Sequence, residues 1–272
     1  MTWRAGVVGS PITHSMSPVL HRAAYAALGL DAWAFHRDQV DTGGLRAYVE
    51  NLSAEWLGLS VTMPLKEEAL ALAVEHGDEA GLVGAANTLT RREVGWRADN
   101  TDVAGLEQAL REAGLDSVSS AVVVGSGATA RSALVALSRF GVEQVLFLVR
   151  ATARPGAEQL ATRLGMTPTV RTYAEGPAAW GTPGVVVSTV PGGATPAVDG
   201  WQLAEGAVVL DVVYAGWPTP WAAQWQQAGV SVMRGDRMLL HQAARQVLLM
   251  TGHEAPVGAM SDALDAALQA AQ

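Results

Sequence analysis

Ala121-Val122-Val123-Val124-Gly125-Ser126-Gly127-Ala128-Thr129-Ala130-Arg131 is the stretch that decides the fold. Its first four residues form an unbroken apolar run rich in β-branched side chains, the composition of a parallel strand buried on both faces. The turn after it fits G-x-G-x-x-G/A and leads into a helical pattern over residues 128–140. In that strand, turn and helix order, the glycines permit a tight turn and let backbone N–H groups approach a pyrophosphate, which the helix N-terminus also favours. A tight structural turn is the plainer alternative.

A dinucleotide-binding unit that prefers NAD ends its second strand with an acid, which bonds the ribose hydroxyls. Here the second strand, residues 144–149, ends in Phe147-Leu148-Val149-Arg150, and Arg154 follows four positions later. No carboxylate stands at this tip, since Glu143 precedes the strand. Two guanidiniums suit the dianionic 2′-phosphate of NADP, so the sequence predicts NADP as cofactor; two solvated loop arginines are the other reading.

Outward from this unit, further strands are expected at residues 185–188 and 207–213, and two helices close the chain at 238–250 and 257–270. Upstream, apolar runs at 5–9, 32–40 and 56–62 alternate with helical patterns at 18–28 and 45–52. That order predicts a second, mainly parallel sheet flanked by helices. A helix over 67–74, a hairpin-like pair at 85–91 and 94–97, and a helix over 101–113 stopped by Gly114 complete it. The fold class is thus α/β with two domains, divided near residues 102–118.

The composition sets limits. The 272 residues carry 18 Lys+Arg against 26 Asp+Glu, a net charge of −8, and are 49% hydrophobic but only 16% charged. This is a globular chain with a large core and no apolar run of membrane-spanning length. The start reads as a strand rather than a secretory leader, so secretion is not expected. Absent cysteine excludes disulfides, thiolate metal sites and a cysteine nucleophile, and fits a reducing compartment. The acidic balance argues against nonspecific binding to nucleic acid or to an anionic membrane.

Among the 18 basic residues only Lys66 is a lysine. A lysine amine is compact and can pass a proton to a reacting oxygen, whereas arginine stays protonated. Lys66 is therefore a candidate acid or base, with a chance surviving surface lysine as the alternative. It follows Ser60-Val61-Thr62-Met63-Pro64-Leu65 at a strand's C-terminal end, the edge where open α/β sheets bind ligands. Ala86-Asn87-Thr88 and Asp99-Asn100-Thr101-Asp102 should reach the same edge, although such clusters are also ordinary turn vocabulary. In Gly9-Ser10-Pro11-Ile12-Thr13-His14-Ser15-Met16-Ser17-Pro18, Ser15 and Ser17 either cap the next helix or offer hydroxyls to a substrate carboxylate. His14 and His21 are open between packing and chemistry.

Taken together, G-S-P-I-T-H-S-M-S-P-V-L-H at 9–21, S-V-T-M-P-L-K-E at 60–67, G-A-A-N-T at 84–88 and D-N-T-D at 99–102 form one ordered set with the glycine turn at 125. D-V-V-Y at 211–214, T-P at 219–220 and G-D-R-M-L-L-H-Q-A at 235–243 continue it. This set resembles the shikimate dehydrogenase family over nearly the whole chain. The resemblance implies reversible reduction of 3-dehydroshikimate to shikimate with NADPH, in aromatic amino-acid biosynthesis. It implies Lys66 and Asp102 as the catalytic pair. Ser15 and Ser17 would hold the carboxylate, Thr62, Asn87 and Gln242 the ring hydroxyls, and Tyr214 would lie near the carboxylate end. Gly125, Ser126, Gly127, Ala128, Thr129, Ala130, Arg150, Arg154, Thr189, Gly235 and Met238 would contact the cofactor, with no metal.

The same resemblance implies a substrate domain over 1–104, a Rossmann-like NADP domain over 105–237, and C-terminal helices over 238–272 packing back on the first. A cytoplasmic monomer or homodimer acting on a small molecule is expected. Three departures stand out: Ser60 where asparagine is common, Val149 and Ala151 within the family's N-R-T-x-x-R motif, and Ser188-Thr189-Val190 in place of N-A-T. Both serines of S-x-S are kept, as in shikimate-specific enzymes more than in those accepting quinate. A quinate or broad-range shikimate/quinate dehydrogenase, using NAD as well, is the nearest competitor. A non-catalytic NADP-binding regulator is another, although it would need neither Lys66 nor Asp102.

Overall fold

The computed structural model describes residues 2–176 and 180–271; Met1 and Gln272, the outer bounds of the first and last segments in the sequence reading, lie outside the described residues. The chain forms two compact units: residues up to Gly105 together with those from Leu239 onward, and Leu106–Met238.

The first unit holds β1 (Trp3–Gly9), α1 (Ser17–Ala27), β2 (Trp33–Gln39), α2 (Leu45–Glu50), β3 (Trp56–Val61), α3 (Lys66–Leu72), β4 (Glu75–His76), α4 (Asp78–Val83), β5 (Thr88–Arg91) and β6 (Trp96–Asp99). Its six strands run in the order β2-β1-β3-β5-β6-β4. The sheet is mainly parallel, as expected, with β1 parallel to β2 and β3 and β4 parallel to β6, while β5 alone pairs antiparallel, with both β3 and β6. The hairpin seen in the sequence enters the sheet as its antiparallel half, since a two-strand hairpin can only reverse direction. Along α1, Ser17, Leu20, His21, Ala24 and Tyr25 are buried at three- and four-residue spacing, which gives the helix one core-facing stripe. Val8, Leu59, Val61, Leu65 and Leu89 fill the adjoining core.

The second unit contains β7 (Ser120–Val124), α6 (Ala128–Ser138), β8 (Gln144–Val149), α7 (Pro155–Arg163), β9 (Thr167–Thr172), β10 (Val185–Ser188), β11 (Val208–Asp211), α8 (Pro220–Gln227) and β12 (Val232–Arg234). All six strands are parallel, in the order β12-β11-β10-β7-β8-β9. Ala121 to Val124 of the central β7 are wholly buried, as a strand covered on both faces requires. The reversal of strand order between β10 and β8 on either side of β7 is a topological switch point, where such sheets bind ligands. The helix α5 (Asp102–Glu112) and the helix α9 (Asp236–Thr251) each contain a unit boundary. The chain ends in α10 (Val257–Ala270), which packs against α1, so the C-terminal helices return to the first unit. Among the described residues, no helix is long and apolar enough to cross a membrane.

His21 is a core residue. It is fully buried, stacks on Phe35 with ring centroids 4.0 Å apart, and has Gln246 Oε1 3.3 Å from Nε2 and the Tyr25 hydroxyl 3.4 Å from Nδ1. Burial pushes its pKa down to about 4, with the Gln246 bond opposing the shift. His14, by contrast, is exposed.

Packing and burial at two positions have measurable consequences. A Cβ at Gly235 would overlap the Val212 backbone, which has nowhere to move, whereas at the exposed Gly81 of α4 it meets nothing within 4 Å. Gly235→Ala is expected to lower the unfolding free energy by about 2 kcal/mol or more, and Gly81→Ala to raise it by about 0.5 kcal/mol, both read from urea midpoints. For His21, the unfolded chain binds the proton more readily than the folded one between pH 6.5 and 4. Its contribution is therefore complete above about pH 6.5 and declines as pH falls towards 4, by about 3 kcal/mol at most. In His21→Gln the fall in stability across that window should flatten; an unchanged slope would remove His21 as its source.

Candidate active site

At the C-terminal edge of β3 the chain turns directly into α3, whose first residue is Lys66. The positive end of a helix disfavours another cation, and the counter-charge comes from Asp102, itself the first residue of α5. Lys66 Nζ donates to Asp102 Oδ2 at 2.5 Å, with the side chains 13% and 5% exposed. A pair so little hydrated is held by its neighbours as well as by charge.

Those neighbours are two stitched segments. Asn87 Nδ2 donates to Asp102 Oδ1 at 2.8 Å and to Thr101 Oγ1 at 2.9 Å, and lies 3.2 Å from Gln242 Oε1. Asn87 Oδ1 accepts the Thr101 N–H at 2.8 Å and the Thr88 hydroxyl at 2.9 Å. Asn100 Nδ2 bonds the Ala85 carbonyl at 2.9 Å, while its Oδ1 accepts the Asp102 N–H at 3.1 Å. The Ala86 N–H donates to the Lys66 carbonyl at 2.8 Å. The structure thus brings Lys66, Asn87, Asp102 and Gln242 together as one polar cluster.

Thr62 follows β3, and Ser15 and Ser17 stand at the start of α1. The N-cap of α1 is Met16, whose own side chain makes no capping bond. Ser15 Oγ accepts the N–H of Ser17, the first helical residue, at 3.3 Å, and the Ser15 carbonyl accepts from Arg37 at 2.9 Å, so Ser15 gives the helix start some of the support the capping reading expects.

Sequence reasoning missed Gln246. It is 1% exposed, accepts the Ser60 hydroxyl at 2.7 Å, and donates to the Asn87 carbonyl at 3.1 Å and to Thr88 Oγ1 at 3.0 Å. A polar residue four positions after Gln242, and so on the same face of α9, was the available clue.

In the second unit the glycine turn sits between β7 and α6, at the switch point of the sheet. Gly125 has φ of +101°, and a Cβ there would come 2.8 Å from both Thr189 Oγ1 and Val190 Cγ1. Gly127 is the N-cap of α6 with no side-chain capping bond and open space above it. Thr189 donates its hydroxyl to the Val124 carbonyl at 2.8 Å, and Ser126 Oγ accepts the Arg154 N–H at 3.0 Å. That last bond joins the glycine turn to the loop carrying Arg150 and Arg154, both exposed. Ala128, Thr129 and Ala130 form the first turn of α6. Gly235 and the buried Met238 flank the start of α9. Buried Asp211 accepts the Thr219 hydroxyl at 2.8 Å and the Val213 N–H at 3.2 Å, fixing the backbone just before Tyr214. Burial raises the Asp211 carboxyl above the usual carboxylate range, against the pull of the Thr219 bond.

Comparison with known proteins places the chain in a family. The family model for the shikimate dehydrogenase substrate binding domain matches residues 7–89, and that for the shikimate 5′-dehydrogenase C-terminal domain matches residues 237–264. A shikimate dehydrogenase (NADP(+)) of Methanothermobacter thermautotrophicus is 33% identical over 268 residues, 95% of this chain and 94% of its own. The crystal structure of Mycobacterium tuberculosis shikimate dehydrogenase superposes with a TM-score of 0.83 at 41% identity, covering 97% of this chain and 99% of the other. That of the Thermus thermophilus shikimate 5-dehydrogenase in complex with NADP(H) and shikimate gives 0.84 at 27% identity, covering 98% and 100%. By fold, by site and by similarity along almost its full length, the chain belongs to the shikimate dehydrogenase family.

Proposed function

We propose that the chain catalyses the reversible NADPH-dependent reduction of 3-dehydroshikimate to shikimate. The observation that carries this reading is the lone lysine ion-paired with Asp102 inside a polar cluster at a sheet edge. Residues 1–104 serve the substrate, 105–237 the NADP, and 238–272 complete the first of these. Cytoplasmic residence accords with a cysteine-free biosynthetic enzyme.

The residues of the second unit fit NADP. The uncapped N-terminus of α6, open above Gly127, presents backbone N–H groups to a pyrophosphate. Gly125, Ser126, Ala128, Thr129, Ala130, Thr189, Gly235 and Met238 complete the cradle, and Arg150 with Arg154 takes the 2′-phosphate although Val149 and Ala151 have replaced their motif partners. When bound, NADPH supplies the hydride.

Delivery of hydride to a ketone leaves negative charge on its oxygen, and the barrier falls when a fixed cation meets that charge and supplies a proton. Lys66 is that donor. Asp102 holds the ammonium and accepts a hydrogen bond from the substrate hydroxyl; in the reverse direction the pair removes the hydroxyl proton. Asn87, Thr62 and Gln242 position the ring hydroxyls, Ser15 and Ser17 the carboxylate, with Tyr214 at that end. Ser60, spending its proton on Gln246, has a protein partner in place of a substrate one.

Initial rates of NADPH formation with shikimate or quinate, and with NADP or NAD, test the assignment. Shikimate with NADP should lead by about 100-fold, and comparable rates in all four pairings would overturn the specificity claimed. Arg150→Ala should raise KM for NADP while leaving weak NAD use alone. Lys66→Ala should cut kcat by about 100-fold or more with KM much less affected, and Lys66→Arg should be nearly inactive because charge is kept while proton exchange is lost. A Lys66→Ala enzyme with normal kcat would sink the acid–base role.

A further inference from the structure

We propose that Gln246 and Thr88 are positioning residues, forming with His21 a one-directional hydrogen-bond relay from the core to the catalytic carboxylate. The idea rests on Lys66 and Asp102 being the acid–base pair, and adds what sets their geometry.

The direction of each bond is fixed by the one before it. The Asn87 backbone carbonyl can only accept, so Gln246 gives it the amide nitrogen and turns its oxygen to His21 Nε2 at 3.3 Å, which then carries the proton and leaves Nδ1 to accept the Tyr25 hydroxyl at 3.4 Å. The same oxygen accepts the Ser60 hydroxyl at 2.7 Å. With two donors on its oxygen, the Gln246 amide must turn its nitrogen the other way, to the Asn87 carbonyl at 3.1 Å and Thr88 Oγ1 at 3.0 Å. Thr88, accepting there, has its own proton free for Asn87 Oδ1 at 2.9 Å. That bond and the Thr101 N–H fix the Asn87 carboxamide with its nitrogen towards Asp102 Oδ1 and Thr101 Oγ1. A reversed carboxamide would set its oxygen against the carboxylate, so the relay, acting with the Thr101 N–H, keeps Asp102 supported rather than repelled.

Every member is buried: His21, Thr88, Asn87 and Gln246 are 0%, 0%, 2% and 1% exposed. Water therefore does not compete for the bonds, and a missing donor leaves an unpaired polar atom. The same geometry assigns a role to the unusual Ser60: a short hydroxyl here leaves room for Gln246, and its proton orients that amide.

Thr88→Val keeps the shape and removes the hydroxyl, while Thr88→Ser keeps the hydroxyl and removes a methyl group. With purified full-length protein, Thr88→Val should lose about 10-fold in kcat with KM for NADP unchanged, and Thr88→Ser should recover most of that loss. Gln246→Leu should match Thr88→Val, and the double variant should be no worse than the poorer single one, since a relay cut once is already cut. If Thr88→Ser is as damaged as Thr88→Val, if the two losses multiply, or if Thr88→Val turns over normally, the relay is overturned. The Thr88 pair decides the matter even where Gln246→Leu does not fold. Lys66→Ala, run beside them, separates the two ideas: its inactivity with a fully active Thr88→Val removes only the relay, whereas its full activity removes the acid–base reading and the relay with it.

Discussion

Everything at the proposed reaction centre depends on one carboxamide. Asn87 faces an anion with its nitrogen and a backbone N–H with its oxygen, and only glutamine shares its planar group of two N–H donors and a carbonyl acceptor. By bonding Asp102, Thr101 and Thr88 it joins the start of α5 to the start of β5, so that a charge pair can sit where hydration is sparse. Removing one partner of such a buried pair costs more than the pair itself contributes, because the survivor is left unmatched.

The first unit meets this constraint through topology. Antiparallel β5 and β6 bring residues 87 and 99 together, with the Asn87 N–H donating to the Asp99 carbonyl at 3.1 Å, and β3, antiparallel to β5, ends at Val61 shortly before Lys66 opens α3. A purely parallel sheet would have needed a long crossover between those two polar segments. The second unit solves a different problem, exposing backbone donors at a helix start, and does so with six parallel strands of which the central ones are apolar and need no polar face. Arg150 and Arg154 lie exposed, on a loop that the Ser126 hydroxyl ties to the glycine turn.

The α/β class, the division into two units and the glycine turn were legible because each has a local signature: β-branched runs, a composition restart near residue 118, and glycines at fixed offsets. Lys66 was legible by rarity and Asp102 by its cluster. The antiparallel pairing of β5 with β3 was not, because a hairpin's direction relative to a third strand is set by tertiary pairing rather than by the hairpin's own residues. Nor were β4, α4, α7, β9, α8 and β12 seen, elements whose short or polar sequences carry little periodicity. Gln246 was hidden for a different reason: its partners, Ser60 and Asn87, lie 186 and 159 positions away in the chain. A hydrogen-bond network of that span leaves no trace in spacing.

The solitary lysine has a bearing beyond catalysis. Amine-acylating reagents, glycation and the enzymes that tag proteins through lysine would all find a single ε-amine in the entire chain, 13% exposed and clasped by a carboxylate. Apart from the α-amine, this chemistry finds one target, and a side-chain amine adduct, when it forms, falls in the polar cluster proposed as the reaction centre. At that amine, covalent labelling and loss of the proposed activity would be the same event.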